Sequence, residues 1–140
     1  MKTIFATLAS ILIVAAALAI NVHADQKPMH QLRIYTLNAD NQAQFHERFR
    51  DHAHRIMKKY DFHIVSIWES RHDGKVEFVY LLQWKDEQTM KACWERFMAD
   101  EEWKEIKLKT SARYGSFVES IEEKTLTLVD YSPNTNLILK

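Results

Sequence analysis

The spacing of apolar positions changes period along the chain, and each change marks an element. Gln31 to Leu37 alternates and carries Ile34, Tyr35 and Thr36, which predicts a strand. Asn38-Ala39-Asp40-Asn41 supplies a turn and helix-capping side chains. From there to about Tyr60, the residues Phe45, Phe49, His52, Ile56, Met57 and Tyr60 recur at three- and four-residue steps, the apolar stripe of a long helix. Glu47, Arg48, Lys58 and Lys59 fall elsewhere on the wheel, and the two lysines suit the negative end of the helix dipole. His63 to Ser70 reads as a second strand, Arg71-His72-Asp73-Gly74 as a hairpin turn, and Val76 to Trp84 as a third strand rich in β-branched and aromatic residues. Asp86 caps a second helix, Glu87 to Ala99, with Met90, Cys93, Trp94, Phe97 and Met98 inward. Asp100 starts a further helical piece holding Trp103, Ile106 and Leu108, with Glu101 and Glu102 at its N-terminus. Phe117 to about Leu128 reads as the last strand.

The order β-α-β-β-α-β predicts an α+β, ferredoxin-like domain: a four-stranded antiparallel sheet with helices on one face. Strand three does not alternate cleanly. Glu77, Val79, Leu81 and Gln83 point one way and Val76, Phe78, Tyr80, Leu82 and Trp84 the other, so both sides carry large apolar groups. Strand two behaves likewise, with Ile64 and Trp68 on one side and Val65 and Ile67 on the other. A sheet with one wet face alternates. With no third long helix in the pattern, a second copy of the chain is the simplest cover, and a homodimeric α/β barrel is expected.

Ahead of this domain, Lys2 precedes an uncharged apolar run from Ile4 to Ile20, followed by Val22 and Ala24 at the small-residue positions of a signal-peptidase site. Residues 1–24 are therefore expected to be a signal peptide, 25–133 the domain and 134–140 a C-terminal tail. The expected product is exported, periplasmic or extracellular, and touches a membrane only if the leader stays uncleaved. The 140 residues carry 19 basic and 19 acidic side chains, and loss of the leader removes Lys2 and leaves a net charge of −1. That balance excludes a nucleic-acid partner, which needs a basic face. One cysteine excludes a disulfide framework and a multi-cysteine metal site, and Cys93 reads as a packing residue. Two glycines are too few for a glycine-rich phosphate loop. No cofactor and no metal site is expected.

Five segments in order resemble one family. Leu32-Arg33-Ile34-Tyr35-Thr36 is similar to the opening strand of NIPSNAP domains, and Phe49-Arg50-Asp51-His52 to their first-helix motif. Phe78-Val79-Tyr80-Leu81-Leu82 is similar to the central strand. Phe97-Met98-Ala99-Asp100-Glu101-Glu102-Trp103 resembles their F-x-A-D-P-E-W segment, with Glu101 standing where proline is usual. Asp130-Tyr131-Ser132-Pro133 resembles the ending of many bacterial members. The resemblance spans about residues 30–133 and implies the dimeric α/β-barrel superfamily. It implies no reaction, since NIPSNAP domains have no generally established one, while sister families include cofactor-independent monooxygenases and haem-handling proteins.

Among candidate site residues, His52 sits on the apolar stripe, where a histidine serves as a base or as a satisfied core residue. With Leu32 and Ile34 toward the helices, Arg33 and Tyr35 point into the dimer space. Arg33 there holds an anion or pairs with Glu69 or Glu77, and Trp68 and Tyr80 line the same space. His46, Arg50 and His54 share a helix face but read as a solvated surface, and no nucleophile has an adjacent base. The expected ligand-binding set is Arg33, Tyr35, His52, Trp68 and Tyr80, with no catalytic residue named. The expected function is a homodimeric binder of a small, partly apolar ligand or a protein partner. The alternatives are a cofactor-independent oxygenase or isomerase of the dimeric barrel type, and a structural interaction module.

Overall fold

The computed structural model describes residues 27–134 and Leu137; the leader and most of the tail lie outside them. Four strands, β1 (Met29–Leu37), β2 (His63–His72), β3 (Lys75–Trp84) and β4 (Val118–Thr127), form one antiparallel sheet in the order β2-β3-β1-β4. The first helix follows a 3₁₀ turn (Ala39–Asn41) and runs as α1 (Gln42–Arg48), a π turn (Phe49–Ala53) and α2 (His54–Lys59). Helices α3 (Glu87–Ala99) and α4 (Glu101–Tyr114) separate β3 from β4. This is the expected ferredoxin-like sheet with helices on one face.

Capping and turn chemistry fix the connections. Asp73 and Gly74 both have positive φ, 50° and 74°, the backbone of a two-residue type I′ hairpin, so β2 and β3 are joined as the Asp-Gly pair predicts. Asp86 caps α3 by accepting from the Thr89 N–H at 2.7 Å. Asp100 ends α3 and caps α4: its carboxylate accepts from the Trp103 N–H at 2.9 Å, the Tyr60 hydroxyl at 2.6 Å and Lys59 Nζ at 2.8 Å. Those donors hold its carboxyl well below the usual carboxylate range, Lys59 first.

Helix α4 is longer than the pattern predicts and is a third full helix. Its outer turns carry few apolar residues and are supported by ion pairs such as Lys109–Glu105 (2.6 Å) and Lys104–Glu101 (2.8 Å). Leu108 faces solvent rather than the core. Trp103 anchors the helix by stacking on Phe97 with ring centroids 5.2 Å apart, which keeps α4 on the helical side. The opposite sheet face gains no cover from it.

The sheet faces differ from expectation in two respects. Residues directly opposed in an antiparallel pair share a face. Gln31, Arg33 and Tyr35 oppose Leu82, Tyr80 and Phe78 of β3, all three buried in the core. Arg33 and Tyr35 therefore lie under the helices, while Leu32, Ile34, Val79 and Leu81 stand half-buried on the open face. The aromatic rings of β3 decide the matter: the Tyr35 ring packs edge-on against Phe45 and Tyr80, 6.1 and 5.6 Å away. The second difference comes from a bulge between Ile64 and Ser66. It puts Ile64 opposite Leu82 on the helical face and Trp68 opposite Val79 on the open one, so the two do not share a side.

Candidate functional site

A cavity of about 210 Å³ lies between the helices and strands β1 and β4. Phe45, Phe49, Ala53 and Met57 from the first helix, Trp94 and Phe97 from α3, Trp103 from α4 and Val118 from β4 give it an apolar wall. Met98 and Ile121, about half exposed, stand at its rim. Three cationic side chains also line it: Arg33, Arg48 and Lys107. An apolar cavity of about 150 Å³ suffices to hold benzene, so this one admits a ring or a short alkyl chain.

The floor is fixed by a polar network. Arg33 donates to the Tyr35 hydroxyl at 3.1 Å, and the Tyr35 and Tyr80 hydroxyls are 2.9 Å apart. Burial pushes the fully buried Tyr80 phenol well above its usual range, so it stays protonated. Arg33 pairs with Glu123, its register partner on β4, and not with Glu69 or Glu77. Glu69 instead accepts from Gln42, His46 and Arg71. The Arg33 guanidinium also lies 4.7 Å from the Trp94 ring centroid. Beneath it, buried Gln31 uses one oxygen to accept from two indoles, Trp94 at 2.8 Å and Trp84 at 3.2 Å.

Arg48 is placed differently. It donates to Thr110 Oγ1 at 3.0 Å and its guanidinium sits over Phe117 (4.3 Å) and Trp103 (5.6 Å). Lys107 approaches the same Trp103 ring at 5.8 Å. Burial pushes both cations below their ordinary values, and for Lys107 the charge of Arg48 adds to the effect.

Of the five expected residues, the structure joins Arg33, Tyr35 and Tyr80. Arg33 and Tyr35 line the cavity, and Tyr80 supports Tyr35 from behind. His52 and Trp68 lie elsewhere. The π turn inserts one residue into the helical repeat, closed by the His54 N–H donating to the Phe49 carbonyl, so Ala53 rather than His52 follows Phe49 into the core. His52 is half-buried on the flank of the helix, beside Glu47, Lys109 and Arg113. Trp68 is 48% exposed on the open sheet face. Cys93 is buried and free, as a packing residue should be.

Arg48, Lys107 and Gln31 were not singled out by the sequence pattern. A signal existed for two of them. Arg48 stands between Phe45 and Phe49 at steps of three and one, and Lys107 four residues beyond Trp103, so each shares the inward face of a helix despite its charge.

The NIPSNAP family model matches residues 30–133, most of the chain, and the protein belongs to that family. No curated protein matches it in sequence. Among solved structures it is similar to a NIPSNAP-like domain protein from Burkholderia xenovorans, at 16% identity and a TM-score of 0.67 over 82% of this chain and 97% of that one. It is also similar to a NIPSNAP family protein with unknown function from Agrobacterium tumefaciens, at 20% identity and a TM-score of 0.66 over 79% and 96%. A second Burkholderia xenovorans NIPSNAP domain protein matches at 21% identity and a TM-score of 0.61 over 76% and 99%. These likenesses establish the fold.

Proposed function

We propose that this NIPSNAP-family protein is a homodimeric binder of a small, partly apolar ligand, which sits in the cavity between the helices and the sheet. The cavity itself carries the reading: about 210 Å³ walled by aromatic and aliphatic side chains with a few placed polar groups, the composition of a small-molecule site. Its size is below that of a typical drug-binding cleft of at least about 300 Å³, which restricts the ligand to a single ring or short chain.

Homodimerisation rests on the open sheet face, where Leu32, Ile34, Val79, Leu81 and Trp68 form an apolar surface that no helix among the described residues covers. A second copy offers the same surface, as an isologous contact requires. Light scattering should give twice the chain mass, and Leu81→Glu should return the monomer mass. A monomer mass for the unaltered chain at micromolar concentration removes the dimer.

The binding reading is tested with neutral 4-fluorotoluene observed by fluorine NMR. Saturable broadening is expected with the full chain. Ile121→Trp, which fills the rim from a half-exposed position, should abolish it. Absence of saturable binding to the unaltered chain contradicts the reading.

A further inference from the structure

Most arginines of this domain have a carboxylate beside them: Arg33 meets Glu123, Arg50 Asp51, Arg55 Glu102, Arg71 Glu69 and Arg96 Asp61. Arg48 does not. Among the described residues it has one neutral hydrogen-bond partner, Thr110, and two aromatic faces, Phe117 and Trp103. Lys107, on the same cavity wall, also lacks a carboxylate partner among the described residues. Two half-buried cations are thus held by ring faces, within electrostatic reach of each other. Withdrawing charge from water without an opposite charge is unfavourable. The cost is lifted if a ligand brings the missing anion. The third cation, Arg33, has its charge met by Glu123, while its Nε is buried with no hydrogen-bond partner among the described residues.

We propose that the ligand is a small organic anion, a carboxylate on an aromatic or short alkyl body, whose charged group lies between Arg48 and Lys107 and whose body lies against Trp94 and Phe97. The inference rests on the binding reading above and specifies its ligand class. A guanidinium offers a planar pair of N–H donors to a carboxylate, and the lysine adds a point charge. Phe117 and Trp103 hold the Arg48 plane in place before the ligand arrives, which limits the ordering cost of binding. A bare inorganic anion has no apolar body to lie against Trp94 and Phe97, so the wall adds nothing to its binding.

The test compares two isosteric probes, 4-fluorophenylacetate and 4-fluorophenylacetamide, by fluorine NMR titration of the full chain. The carboxylate is expected to bind at least tenfold more tightly. Arg48→Met and Lys107→Met should each reduce that preference severalfold and leave amide binding within twofold. Lys109→Met, on the outer side of α4, should change neither. Thermal melting checks that each variant folds; Lys107→Met is the safer of the two, since its side chain caps no hydrogen bond. Equal binding of the two probes, or a preference that survives both substitutions, overturns the anion inference and leaves the binding reading standing. Failure of both probes and of 4-fluorotoluene overturns the two together.

Discussion

Replacing Gln31 with methionine keeps the side-chain length and removes the oxygen that two indoles share. Trp84 is about as buried as a residue can be, so its N–H then faces no acceptor and no water. Trp94 is half-buried and can recover a water partner. The expected loss is therefore dominated by one orphaned donor, about 1–3 kcal/mol. For a domain of this size that lowers the melting temperature by roughly 5–20 °C. The assay is urea unfolding followed by circular dichroism, on Gln31→Met, Trp84→Phe and the double variant. Once the Trp84 N–H is gone, the methionine leaves only the half-buried Trp94 N–H without its oxygen, so the cycle should show a coupling of at least about 1 kcal/mol. Because Gln31 also holds Trp94 on the cavity wall, 4-fluorotoluene binding should weaken severalfold in the single variant. A loss below about 0.5 kcal/mol, within the range of an ordinary surface change, would refute the assignment of Gln31 as the support of that wall.

Asp100 gives a pH signature. Its folded carboxyl is depressed, so its contribution to stability is fully present above the unfolded value near 3.8 and is lost as pH falls through the lower folded value. Asp100→Asn should flatten the acid limb of the stability–pH curve below about pH 4, and Asp100→Ala should cost about 1 kcal/mol through the lost cap alone at neutral pH. His52→Ala should leave 4-fluorotoluene and 4-fluorophenylacetate affinities within twofold, because the π turn carries that side chain away from the cavity; a tenfold loss in the titration would place it in the site. N-terminal sequencing of protein recovered from its own source should begin at Asp25, and a start at Met1 would remove the expected cleavage.

The sheet and its order were legible because period-two strands, the Asp-Gly turn and the Asp86 cap each carry a local signal. Helix α4 was half legible: Asp100 and Trp103 mark its start, but its later turns are held by ion pairs and carry little apolar pattern. The face of β1 could not be read from β1 alone, since Leu32 and Ile34 look more apolar than Arg33 and Tyr35. The answer lies in the neighbouring strand, where Phe78 and Tyr80 demand an aromatic partner. Two local insertions were invisible for a related reason. The bulge after Ile64 adds one residue and parts Ile64 from Trp68, which keeps to the open face, while the π turn at Phe49–Ala53 carries His52 to the flank and leaves Ile56 and Met57 beyond it in the core. The cavity's cations were hidden by their charge, which reads as surface until the aromatic residues three or four positions away are taken into account.

A crystal of the full chain soaked with 4-iodotoluene offers the most direct test of where a ligand sits, because iodine marks its own position by anomalous scattering. One peak per protomer is expected under the helices, between Trp94, Phe97 and Ile121. A peak on the open sheet face beside Trp68 and Val79, with none in the cavity, would contradict it.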